Sequence, residues 1–448
     1  MDREIFELIE TKQYGKLKDI FSCMNAADLA AIFIDVEMRD VIILFRILPK
    51  ELAAELFVEM EKDMRKELIL AFSDKELREV LSDLFLDDTV DIIEEMPAVV
   101  AKRILAHTNP DDRKMINQLL AYPEDSAGSI MTTEYVDLKR DMTVSQAFEK
   151  IRRDGTDRET IYTCYVIDAS RHLIGIISAK ILMLSDSETV IGDIMEENII
   201  FASTLDHKEE VAQQFDKYDL LALPVVDKEN RLVGIVTVDD AIDVIQEAAT
   251  EDMEKMAAIT PSDKSYLQTG VFETFKARIP WLFLLMISAT LTGLIISSFE
   301  SALSTVAVLT AFIPMLMGTG GNSGSQASVT VTRSLSLGDI SFKDIFKVIW
   351  KECRVALLCG FALSVLNFIK ILFFDRLYNS DINFMISLVV SLSLFVTVVV
   401  AKLIGCSLPI VAKKLGFDPA VMASPFITTI VDAISLALYF LIAKQVLF

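Results

Sequence analysis

Near the end of the chain one acid stands among apolar, Thr and Ser residues: Asp432, in TTIVDAISLALYF, residues 428–440. A carboxylate at the centre of a membrane helix costs roughly 2.5–3.5 kcal/mol on insertion scales, so an acid in that position defaults to a functional reading. Its chemistry is electrostatic: a fixed charge facing a hydrated cation, or a hydrogen bond to a neighbouring helix. The stretch PMLMGTGGNSGSQAS, 314–328, adds Gly321, Asn322 and Gln326, and the two amide oxygens can face a hydrated ion. Glycine-rich backbone at membrane depth survives only where protein buries it or water lines it, so a helix broken there predicts a pore lining. The plainer reading is a kinked helix whose small residues pack closely. A third feature is the acidic run VDDAIDVIQEAATEDMEKMAAI, 238–259, in which Asp240, Asp243, Glu247, Glu251 and Asp252 recur every three or four residues. Such a run is usually a solvated helix face. Like charges at this spacing repel, and a cation bridging them to a second acidic surface turns ion concentration into a mechanical signal.

The elements that must position these groups follow from composition. The 448 residues are 52% hydrophobic yet carry a net charge of −22. Residues 1–264 hold 56 acidic against 30 basic side chains, whereas 265–448 hold 9 against 13. An acidic, soluble part therefore precedes an apolar, mildly basic one. Five runs are long enough to cross a bilayer: 281–299, 302–332, 353–374, 382–408 and 421–443. The second is interrupted by Pro314 and GTGGNSG. Lys276 and Arg278 precede the first run, Arg333 to Arg354 fill the second connection, and Lys413 and Lys414 precede the last. By the positive-inside rule the N-terminus is cytoplasmic and the C-terminus outside. Lys402 lies inside the fourth run, as a partner for Asp432 or a snorkelling side chain. Five cysteines without a Cys-x-x-Cys pair and three histidines argue against a disulfide framework or a zinc site. The acidic balance disfavours nucleic acid and favours divalent cations. No nucleophile–base pair, Walker loop or dinucleotide fingerprint is present, so the chain does not read as an enzyme.

Two repeats organise the soluble part. YVIDASRHLIGIISAKIL (165–182) aligns without gaps on PVVDKENRLVGIVTVDDAI (224–242), each reading as strand, turn, strand and helix start. An Ile-Met pair precedes each copy, Ile130-Met131 and Ile194-Met195. This pattern resembles a tandem pair of CBS modules over about 125–245. Upstream, LPKELAAELFVEM (48–60) and MPAVVAKRILAHT (96–108) share a proline-led start and helical spacing. A period near 24 residues, with FSDKELREVLSDLF between them, predicts stacked helix hairpins in a small superhelical solenoid.

Helical solenoid, CBS pair, acidic helix and the GTGGN…G.Q and FDPA…D elements together resemble the MgtE family of bacterial magnesium channels over essentially the whole chain. The resemblance implies a multidomain fold: an all-α superhelical N-domain (1–124), an α/β tandem CBS pair (125–245), a long connecting helix with a membrane-surface segment (246–275) and a five-span α-helical transmembrane domain (276–448). It implies a magnesium channel in the cytoplasmic membrane, homodimeric and lipid-embedded, with Mg2+ both transported and sensed by negative feedback. Asp432 becomes the pore residue, lined with Thr428, Gly321, Asn322 and Gln326, and Asp418 a further ion site. Sensor positions carried over are Glu55, Asp87 and Asp91 on the solenoid, and Glu209, Asp216 and Asp219 in the second CBS module. On the connecting helix they are Asp240, Asp243, Glu251 and Asp252. Ala248 and His207 stand where the family pattern has acids. ATP is a weakly supported ligand of the CBS pair, because Thr163, Lys180, Ile181 and Leu220 depart from the nucleotide contacts and Ile181 replaces the ribose-binding acid. The alternative is a carrier exchanging magnesium or cobalt for sodium or protons, with Asp432 titrating.

Overall fold

The structure is a computed structural model in which residues 2–262, 266, 269–299, 306–378, 382–422 and 424–447 are described. Parts of the expected connection 246–275 and the start of the second apolar run lie outside them. The chain divides into two compact units, Met1–Ile245 and Gln246–Phe448.

The first unit opens with ten helices, from α1 (Asp2–Glu10) to α10 (Pro110–Leu119). Each is only about two to three turns long, too short for stability alone, so tertiary packing must hold it. Local signals fix the starts. Pro49 and Pro97 precede α5 (Lys50–Glu59) and α9 (Ala98–His107), and Ser73 forms a capping box with Glu76 at α7 (Asp74–Leu81). Alternate helices stack: α3 (Ala26–Ile34) packs on α5, α5 on α7 and α7 on α9. Leu29, Phe33, Leu56, Phe57 and Leu77 lie buried in the resulting core.

Two three-stranded sheets follow. Strands β1 (Tyr135–Lys139), β2 (Thr160–Ile167) and β3 (Leu173–Ser178) form the first. Strands β4 (Ala202–Ser203), β5 (Ala222–Val226) and β6 (Leu232–Thr237) form the second in the same order. In each, the first pair is parallel and the second antiparallel. The repeated aspartate makes the hairpin turn: Asp168 accepts from the backbone N–H of Ser170 and His172, and Asp227 from those of Glu229 and Arg231. The Ile-Met pairs cross between the modules. Thr132 bridges to Ile235 and Glu196 to Ile176. A Cβ at Gly234 would lie 2.7 Å from Met131 Sδ, and one at Gly175 2.5 Å from Met195 Sδ. Each repeat glycine makes room for the methionine that precedes the other module.

Helix α15 (Val238–Met256) carries the acidic run. On it Val244 is buried, whereas Ile245 and Met253 are exposed.

The second unit contains α16 (Val271–Ser298), α17 (Ile313–Ser336), α18 (Ile345–Lys370), α19 (Phe384–Lys414) and α20 (Ser424–Leu447). Among the described residues, four helical segments, Val271–Ser298, Phe342–Tyr378, Phe384–Lys414 and Pro425–Leu447, are long and apolar enough to cross a membrane. The expected count of five is not reached on those criteria, because glycine, serine, asparagine and glutamine dilute the apolarity of α17. Nor is α17 broken at GTGGNSG. It is one continuous helix, with Pro314 in its first turn and a 3-10 segment, Ala307–Phe312, before it. The glycines serve close packing instead. A Cβ at Gly320 would stand 2.7 Å from Thr397 Cγ2, one at Gly324 2.8 Å from Ile427 Cγ2, and one at Gly405 2.2 Å from the Gly324 carbonyl oxygen. Thus α19 approaches α17 almost backbone to backbone, and side chains of α20 rest on the α17 glycines, which holds α20 and its acid in place.

Candidate functional site

In the membrane unit, α17 and α20 bring three of the expected residues together. A Cβ at Gly321 would lie 3.1 Å from Thr428 Cγ2 and 3.6 Å from Asp432 Oδ1. Thr428 donates to the Pro425 carbonyl at 2.9 Å, leaving its methyl toward the glycine. Among the described residues no hydrogen bond or ion pair reaches the Asp432 carboxylate, and it stays partly exposed. Lys402 is not its partner. That ammonium belongs to a side chain on α19 only 5% exposed, so it does not snorkel to the helix surface either. Asn322 and Gln326, four residues apart, share an exposed side of α17.

A second group lies on the same unit, where α15 meets the turn before α20. Asp418 accepts from the Ala420 N–H at 2.8 Å and from Lys255 Nζ at 2.6 Å. Lys255 also reaches Glu251 Oε1 at 2.5 Å, and Ser336 donates to Asp252 at 2.8 Å. The bonds from Asp418 and Glu251 hold Lys255 above the ordinary lysine value despite its partial burial, while burial raises Asp252. Lys255 escaped the sequence reading, although Glu251-x-x-x-Lys255 is the spacing of a helical ion pair.

The soluble unit gathers a third group. Helix α8 (Leu86–Glu95) presents Asp87, Asp88 and Asp91, and the start of α15 presents Asp239 and Asp240. Burial, first, then mutual repulsion raise these carboxyls: Asp87 and Asp240 to about 7, Asp88 to about 6, Asp91 to about 8. Asp240 also accepts from Thr237 Oγ1 at 2.6 Å. Glu159, just ahead of β2, joins them and is raised to about 8 by burial and by Asp87, Asp88, Asp239 and Asp240. Among the described residues, Asp87 Oδ1 and Glu159 Oε2 are buried acceptors without a hydrogen-bond partner. Glu134 acts on Asp87 and Asp88 and accepts from the Leu86 N–H at 3.0 Å. Unpaired buried carboxylate oxygens are costly, and a proton or a divalent cation can satisfy them. Even so, among the described residues no three His, Cys, Asp or Glu side chains converge into a ready-made metal cage.

The other expected positions stay apart. Glu55 is exposed on α5. Glu209 and Asp216 are exposed on α14 (Lys208–Tyr218), and Asp219 caps it in a left-handed conformation at φ 52°. Asp243 is exposed on α15 and raised by burial and by Asp239. At the candidate nucleotide position, Ser178 accepts from the Ile181 N–H at 3.3 Å and the Ile181 side chain is exposed. Sequence reasoning missed Asp88, Asp239, Glu134 and Glu159. Asp88 and Asp239 adjoin named acids, but Glu134 and Glu159 join only when the Glu159 N–H bonds the Glu134 carbonyl at 2.9 Å.

Residues 313–442 match the family described as MgtE, divalent cation transporter. Residues 24–125 match the MgtE intracellular N domain, and 127–186 and 191–247 match CBS domains. A "Magnesium transporter MgtE" of Thermus thermophilus is 35% identical over 98% of this chain and 97% of its own length. One of Bacillus subtilis is 34% identical over 99% and 97%. Among solved structures, the cytosolic domain of the Mg2+ channel MgtE in complex with ATP is 33% identical. It covers 55% of this chain and 100% of its own, with a TM-score of 0.52. The chain belongs to the MgtE family of divalent cation transporters.

Proposed function

We propose that the membrane unit conducts magnesium past Asp432 and that cytosolic magnesium closes the pathway by binding the acidic groups. The observation that carries the first half is the Asp432 carboxylate, set against Gly321 with no ion-pair partner among the described residues. Magnesium demands octahedral oxygen coordination and dehydrates reluctantly, so it is held largely through its water shell. A carboxylate beside a side-chain-free glycine suits a hydrated ion better than a bare one. Thr428 and Gly321 line the same spot, with Asn322 and Gln326 one helix face away. In a homodimer, two Asp432 side chains would form a symmetric negative ring.

In this reading the four parts are the N-domain to 124, the CBS pair to 245, the connection to 275 and the pore domain beyond. Helix α17 is the fifth span, sheltered from lipid by α19 and α20, which is why it tolerates polar residues. The N-terminus and both soluble domains are cytoplasmic, the C-terminus is outside, and lipid surrounds the apolar helices.

Regulation rests on the clustered acids. Asp87, Asp91 and Asp240 form one site and Asp418, Glu251 and Asp252 another. Glu55, Glu209, Asp216, Asp219 and Asp243 are solvent-facing acids available to ions that bridge to a second surface. Several weak ions shift such an equilibrium by their summed preference for the closed state. The solved cytosolic relative holds ATP. In this chain Ile181 offers a ribose no carboxylate and Asp240 is engaged by Thr237, so nucleotide remains the weaker ligand. Magnesium uptake by a transport-deficient host tests the pore: wild type restores it and Asp432→Ala does not, whereas equal uptake overturns the assignment.

A further inference from the structure

A cation already sits among the carboxylates where α15 meets the turn before α20. Lys255 Nζ lies 2.6 Å from Asp418 Oδ2 and 2.5 Å from Glu251 Oε1, and the lysine side chain is only 23% exposed. The two acids are far apart in sequence, and neither has another cationic partner among the described residues. The adjacent Asp252 is bonded to Ser336 Oγ. Glu251 and the backbone-anchored Asp418 meet at this ammonium, and Asp252 beside Glu251 adds a third carboxylate, all hard oxygen donors of the type a divalent ion takes. An ammonium is a compact, strongly hydrated charge with three donors, and here two of them are spent on those oxygens.

We propose that Lys255 is an intramolecular competitor for this ion site, occupying the carboxylates in the magnesium-free chain and being displaced when magnesium enters. The idea rests on the regulatory reading above and adds to it what sets the threshold. Tethered on the same helix turn as Glu251, the ammonium competes at an effective concentration on the order of millimolar. The site therefore ignores magnesium until its concentration is high enough to expel the lysine. The lysine also ties α15 to Asp418 while the ion is absent.

Limited proteolysis of the purified full chain across a magnesium titration at fixed ionic strength tests this. Cleavage after residue 245 is the readout, in wild type, Lys255→Met, Lys255→Gln and Lys255→Arg. Removing the ammonium is expected to lower the magnesium midpoint for protection roughly three- to tenfold, the effect of losing two partly exposed ion pairs. At zero magnesium the same variants should be cut faster, because the tether is gone. Lys255→Arg keeps a cation and should stay near wild type. Lys255→Gln guards against a packing fault peculiar to methionine. A midpoint unchanged or raised in both neutral variants, with wild type protected normally, overturns the lysine assignment alone. Wild type left unprotected at every magnesium concentration overturns the regulatory reading, and this proposal with it.

Discussion

Gly321 and Asp432 face each other across α17 and α20, with the carboxylate oxygen 3.6 Å from where a glycine side chain would begin. The acid borders space kept open by a missing Cβ. Gly321→Val should fill that space and cut magnesium uptake while leaving the protein folded, since Thr428 Cγ2 at 3.1 Å can give way slightly. Uptake and detergent thermal stability measured on the same preparation separate the two effects.

Glycines that touch backbone should behave differently. In Gly405→Ala the new methyl would stand 2.2 Å from the Gly324 carbonyl oxygen, so two helices must separate. A loss of about 1–3 kcal/mol or more is expected, read as a lowered melting midpoint in detergent. Gly318→Ala, with nothing within 4 Å, should be neutral or stabilise by up to about 1 kcal/mol.

The α8–α15 acids make the soluble unit sensitive to pH. Carboxyls raised to about 7 or 8 when folded, against an ordinary value near 4, bind protons more tightly folded than unfolded. Their destabilising charge is absent below about pH 4 and grows as pH rises through about 8. Without magnesium, the melting midpoint of residues 1–245 should fall from pH 5 to pH 8, and millimolar magnesium should restore it. A midpoint that climbs over that range in magnesium-free buffer contradicts the assignment.

Glu159 supplies the corresponding variant. Glu159→Gln removes one of the mutually repelling charges and keeps the shape. At pH 8 without magnesium it should raise the melting midpoint by roughly 2–4 °C, the shift that about 1 kcal/mol produces in a domain of this size. It should also weaken the stabilisation by magnesium. Calorimetry with and without the ion checks both.

Much of this was legible in the chain because the signals were local. The Val-x-Asp-turn-Leu-Gly repeat predicts its hairpins, since the aspartate bonds its own turn and the glycine admits the crossing methionine. Asp432 announces itself by its surroundings. GTGGNSG misleads because glycine loosens an isolated helix but equally lets helices meet; the contacts of Gly324 with Ile427 and Ala401 decide, and they are long-range. Glu159 and Glu134 look like ordinary surface acids until β2 is laid beside β1. Lys255 finds Asp418 only through a fold that joins positions 163 residues apart.

The central claim is that a passing hydrated ion, and no side chain, compensates Asp432. Magnesium current across a planar bilayer, with neither sodium nor a proton gradient present, tests it most directly. Wild type should conduct under those conditions, and Asp432→Asn should lose most of the current while remaining folded. Equal currents from the two proteins would contradict the account.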